Sequence, residues 1–93
     1  MPSSTARITS ASSRKYMIQL CKHWSHKLDV ELEGNSGIVR FGEAVATMNA
    51  GDTELVVTVE AESAETLERM KGVVASHLDR FAFREAPLTF NWS

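Results

Sequence analysis

One cysteine, two prolines and no apolar run near the length of a membrane span set the first limits on this 93-residue chain. A single thiol cannot close an intramolecular disulfide, so nothing calls for an oxidising compartment. A spanning helix needs roughly 18 or more consecutive apolar residues, and no stretch approaches that. The opening Met-Pro-Ser-Ser-Thr-Ala-Arg lacks the apolar region of a signal peptide. No membrane partner is expected, and the expected location is cytoplasmic. A basic excess is missing too. The formal charge is −2, whereas nucleic-acid-binding domains carry a basic surplus, so nucleic acid is not an expected partner. Nor is there a glycine-rich phosphate loop, a Cys-x-x-Cys pair, a serine nucleophile elbow or a placed carboxylate pair. No catalytic residue and no cofactor is assigned, and a non-enzymatic role is preferred over an enzymatic one.

What is present is ordinary globular composition, 43% hydrophobic and 24% charged. At this length the chain reads as one domain over residues 1–93, with residues 1–4 expected to fray. The charge is unevenly spread. Residues 1–28 hold Arg7, Arg14, Lys15, Lys22 and Lys27 with no acid, a surplus of +5. Residues 29–93 hold five basic against twelve acidic side chains, a deficit of −7. The simplest expectation is that the two segments pack together and neutralise each other.

Hydrophobic periodicity then orders the elements. Thr5 to Thr9 alternates, with Ala6 and Ile8 on one face, and reads as a short strand. Ser10, Ser12 and Ser13 offer caps for a helix running to about Leu28. At about 100° per residue, Met17, Leu20, Cys21, Trp24 and Leu28 fall on one arc, a core-facing stripe. Four strands follow. Asp29–Glu33 points Val30 and Leu32 inward, and Gly34-Asn35-Ser36-Gly37 turns the chain. The next strand is Gly37–Phe41, closed by Gly42-Glu43. Ala44–Met48 is the third, turned by Asn49-Ala50-Gly51-Asp52, and Glu54–Glu60 the fourth. Ser63 caps a second helix with Leu67, Met70, Val74, Leu78 and Phe81 buried and Gly72 on the opposite face. It ends near Phe81 to Arg84. Pro87 opens a last strand, in which Leu88, Phe90 and Trp92 alternate with Thr89 and Asn91. The expected class is α+β, a two-layer sandwich with two helices on one face of an antiparallel sheet, in the order β-α-β-β-β-β-α-β.

Cys21-Lys22-His23-Trp24-Ser25-His26 suggests a metal motif, but helical geometry divides it. Cys21 lies about 160° from His23 and about 140° from His26 around the axis, so the thiol faces the core while the histidines flank the polar side. His23 and His26 are neighbours at i, i+3, and any metal site would need His77 or a carboxylate brought from the second helix or a loop. No metal site is assigned. A different grouping is the candidate. Tyr16, His23 and Lys27, with His26 nearby, lie along one edge of the first helix, and His77, Arg80 and Arg84 along an edge of the second. If the edges face each other, they line a groove suited to a small anionic ligand or a carboxylate. The bland expectation is that these cations pair with Glu85, Asp79 or strand acids on a solvated rim. A homodimer through a sheet edge or an open sheet face, with Val56 and Thr58 beside Val39 or Val45, is the other partner expectation.

Two segments together resemble a known family. Tyr16 with Leu20-Cys21-Lys22-His23-Trp24-Ser25-His26-Lys27, and His77-Leu78-Asp79-Arg80-Phe81-Ala82-Phe83-Arg84-Glu85, are similar to the bacterial domain of unknown function 2218. The resemblance spans about Thr5 to Trp92. Ser25 and Asp79 stand where Ala and Glu are expected. Members of that family stand alone or are fused to siderophore-interacting, flavin-binding reductases. The resemblance therefore implies a small binding accessory with a role near ferric-siderophore handling. It implies no catalytic residue.

Overall fold

In a computed structural model that describes residues 2–81 and 92, the runs of alternating Val, Thr and Ala form strands and the two 3.6-periodic stretches form helices. The order is β1 (Ser3–Thr9), α1 (Ser13–Ser25), β2 (Asp29–Glu33), β3 (Ser36–Arg40), β4 (Ala44–Ala50), β5 (Glu54–Ala61) and α2 (Ala64–Phe81). The strands make one antiparallel sheet in the order β1-β5-β4-β3-β2. The chain is thus an α+β domain with β2 to β5 as a meander and β1 returned to the far side of β5. The last expected strand, from Pro87, lies outside the described residues apart from Trp92, which is half-buried against the core.

The register explains why one face is core. Ala6 pairs with Val57, Val57 with Met48, and Val59 with Ala46, which faces Val39. Every residue in these rows points to the same side, where α1 and α2 both lie against the sheet and against each other. Ile8, Met17, Leu20, Val39, Met48, Leu55, Val57, Val59, Val74 and Leu78 are fully buried there. At about 25 cal/mol per Å² of apolar surface, this shared layer is the main favourable term holding the helices on the sheet. No described helix is long and apolar enough to cross a membrane.

Several boundaries move for physical reasons. β1 begins at Ser3, because Ser3 and Ser4 pair with Glu60 and Val59 and the Pro2 carbonyl accepts the Ala61 amide at 3.0 Å. The paired strand therefore starts two residues before Thr5. β4 runs on through Asn49 and Ala50, paired with Val56 and Leu55, so the turn is Gly51 to Thr53. α1 stops at Ser25, and the amides of Lys27 and Leu28 both reach the Trp24 carbonyl, at 3.1 and 2.8 Å. Gly34 occupies positive φ at 58° and is the first of only two loop residues between β2 and β3. That is where a tight hairpin needs a glycine.

Two expected facings, Leu32 inward and Val39 on the open sheet face, fail in part. Leu32 is on the core side, opposite Gly37, yet 41% exposed, because β2 is an edge strand. Val39 is fully buried and not on the open face; its neighbour Ile38 is, in a row with Thr47, Thr58 and Thr5. The expected charge neutralisation is also slight. Among the described residues, Arg7–Glu54 at 2.9 Å is the sole ion pair joining the two segments. Further acids of the second segment are engaged by its own cations: Asp29 and Glu31 with Arg40, Glu43 with Arg69, and Glu68 with Lys71.

Candidate functional site

The C-terminal halves of α1 and α2 meet along a seam. On α1 the core stripe ends in Trp24, 7% exposed, with His23 one residue earlier and turned to the rim. On α2 the buried stripe of Val74 and Leu78 leaves His77 half-buried at its margin. The result brings two imidazoles together from different helices. The His23 and His77 ring centroids are 5.2 Å apart and tilted by 49°. Three more rings surround them. Trp24 lies 5.1 Å from His77, Phe81 lies 5.8 Å from His23 edge-on, and Phe41 packs edge-on against Trp24 at 4.9 Å.

One ring orientation is set by a hydrogen bond. His77 Nδ1 is 2.7 Å from the Val73 carbonyl oxygen, one turn back on α2. A carbonyl only accepts, so Nδ1 carries the proton and Nε2 is the nitrogen left for another partner. Lys22, Lys27 and Arg80 are exposed and make no ion pair among the described residues. Lys22 and His23 sit in the last turn of α1, and Arg80 in the last turn of α2. Cations are favoured there by the negative end of each helix.

Of the seven residues expected in a groove, the structure brings His23 and His77 into contact. Arg80 stands exposed in the last turn of α2, and His26 and Lys27 are exposed one and two residues beyond α1. Tyr16 is buried at 7% exposure and lies about two turns before His23 on α1. Arg84 lies outside the described residues. Trp24 and Phe81 were legible only as core; their contact with the imidazoles depends on how the helices cross.

Cys21 sits on the other side of α1, 1% exposed, and burial raises its thiol above the usual range. Its sulfur occupies the space that a side chain on Gly37 would fill: a Cβ there would come within 2.7 Å of Sγ. Among the described residues no three His, Cys, Asp or Glu side chains converge on one point.

An open recess of about 340 Å³ lies at the other end of α1, lined by Ser12, Ser13, Arg14, Lys15, Asn35 and Asp52 among others. Arg14 Nε donates to Asn35 Oδ1 at 3.1 Å, and the Ser13 hydroxyl donates to the Gly51 carbonyl at 2.5 Å. The serine run and Arg14-Lys15 were visible in the sequence, but their meeting with the β2–β3 and β4–β5 turns was not.

These features define a two-layer α+β domain with an aromatic, cationic seam between two helices and no assigned chemistry. The family model described as "Uncharacterized protein conserved in bacteria (DUF2218)" matches residues 5–93. The chain belongs to that bacterial family. Among solved structures it is similar to the NMR structure of PA4090 from Pseudomonas aeruginosa, with 32% identity and a TM-score of 0.86. The alignment covers all of this chain and 96% of that one. No curated protein matches the chain.

Proposed function

We propose that the chain is a non-enzymatic binding module whose site is the rim between α1 and α2, taking a small carboxylate-bearing or otherwise anionic ligand. The observation that carries the reading is the facing of His23 and His77 at 5.2 Å beside cations with no acid partner among the described residues. The His23 imidazole N–H and the flanking Lys27 and Arg80 are donors without acceptors of their own among the described residues, and charge-assisted bonds to a carboxylate are among the stronger hydrogen bonds. Trp24 and Phe81 supply the apolar wall that small-ligand sites commonly have. Citrate and inorganic phosphate are the probes. Titration followed by amide and imidazole chemical shifts is expected to move the signals of His23 to Lys27 and His77 to Phe81. The paired changes Lys27→Ala and Arg80→Ala are expected to weaken the response. Shifts spread evenly over the chain, or no shift at millimolar probe, would sink the reading.

A place in iron and siderophore handling, in the cytoplasm, extends this proposal; its support is the company kept by the family's members. Ferric citrate binding more tightly than citrate alone is the expected result, and equal binding counts against the extension.

A second reading is a homodimer through the open sheet face. Its support is that Ile38, Val45 and Val56 stand half-buried there among threonines, and that neither described helix packs on that side.

A further inference from the structure

We propose that His23 and His77 are the two protein ligands of an exchangeable site for a divalent transition metal ion of the zinc and copper class. The pair is assembled across the helix–helix seam and not within either helix. At a tetrahedral ion with metal–nitrogen bonds of about 2.0–2.1 Å, two imidazole ligands have their ring centroids on the order of 5 Å apart. His23 and His77 stand at 5.2 Å. The tilt of 49° turns the rings out of the parallel arrangement of a stacked pair.

His77 is also held as a ligand needs to be. Its Nδ1–H donates to the Val73 carbonyl at 2.7 Å. That bond fixes the tautomer and leaves the Nε2 lone pair available, which is how metal-binding histidines are oriented by backbone carbonyls. His23 is exposed, so an ion has a path in and water can fill its remaining positions. Closed structural zinc sites use four protein ligands and catalytic ones three, and no third His, Cys, Asp or Glu joins the pair among the described residues. Two ligands make a site that loads and releases. Imidazole pairs suit copper above zinc, following the general affinity order of divalent ions. Both rings must be neutral to bind, so affinity falls in acid.

This inference shares the seam with the anion reading but does not rest on it, because the ion needs neither Lys27 nor Arg80. The test uses the full chain without an affinity tag, in a non-coordinating buffer, titrated with zinc chloride or copper chloride alone. Calorimetry is expected to give one ion per chain, and the His23 and His77 imidazole resonances are expected to shift together with zinc. His23→Ala and His77→Ala each weaken binding by at least about ten-fold, since even outer partners of metal ligands are worth 10–100-fold. His26→Ala leaves it unchanged. If His77→Ala does not fold, the wild-type imidazole shifts decide. No heat and no imidazole shift at millimolar metal overturns the proposal. So does a loss in His26→Ala equal to that in His23→Ala, which would place the ion on the i, i+3 pair of α1. Citrate titration in the presence of a chelator separates the two readings: anion binding without metal binding leaves the first standing and removes the second.

Discussion

Gly37 and Cys21 show how little room a single side chain leaves in this core. The added carbon of Gly37→Ala would meet the Cys21 sulfur at 2.7 Å, inside van der Waals contact, and Met17 Cγ at 3.5 Å. Overpacking of this kind typically costs about 1–3 kcal/mol, and urea denaturation of Gly37→Ala is expected to show it. Removing the sulfur in the double variant with Cys21→Ala is expected to recover part of the loss, as coupling between touching residues predicts. Simple additivity would mean that the two sites do not press on each other. The thiol gives a second prediction. Burial raises its pKa, so the unfolded chain ionises first as pH climbs above the usual thiol value of about 8.5. From there the unfolded state binds fewer protons than the folded one, and stability falls with rising pH. Cys21→Ala is expected to flatten that alkaline decline in a series of denaturation curves, and an unchanged slope would assign it to other groups.

At the scale of the element, α2 carries both a cap and a defect. Ser63 Oγ accepts the Thr66 amide at 3.1 Å, satisfying one of the unpaired donors of the first turn, so Ser63→Ala is expected to cost about 1 kcal/mol. Gly72 is exposed, with nothing within 4 Å of where a Cβ would sit. Gly72→Ala is therefore expected to stabilise by roughly 0.5–1 kcal/mol through the backbone entropy of the unfolded chain. A loss of stability there would mean that the bare face of α2 is covered in solution by something close. The start of α1 differs: Ser12 is its N-cap without a side-chain cap bond, and Ser10 Oγ instead accepts the Ser12 amide at 3.1 Å. Three serines in four residues announced a helix start. Their division of labour depended on the Gly51 carbonyl, which takes the Ser13 hydroxyl from the β4–β5 turn.

For the whole molecule, the two helices cover one sheet face, and the opposite face carries the row Thr5, Thr58, Thr47 and Ile38. Charged pairs lie near its margins, Arg7 with Glu54 and Arg40 with Asp29 and Glu31. If a second copy docks there, light scattering over a concentration series reports a dimer that Val45→Glu or Val56→Glu disperses. A mass of one chain at every concentration is the outcome against that reading. Exposed ion pairs of this kind contribute about 0–1 kcal/mol each, so 0.5 M salt is expected to leave the unfolding midpoint nearly unchanged.

The α+β class, both helices and the meander were legible because periods of 3.6 and 2 are local properties of the chain, written wherever an element buries one face. The separation of Cys21 from His23 and His26 followed from the same geometry, without any neighbour. Three things were decided only by the tertiary structure. Tyr16 went into the core where α1 packs on the sheet, and Leu32 stayed exposed because β2 fell at the sheet edge. His23 met His77, more than fifty positions away in the chain, because two apolar stripes packed on one sheet face and left their margins touching. Periodicity says which side of an element is buried; which neighbour covers it, and which polar groups meet beyond that cover, is set only when the layers pack.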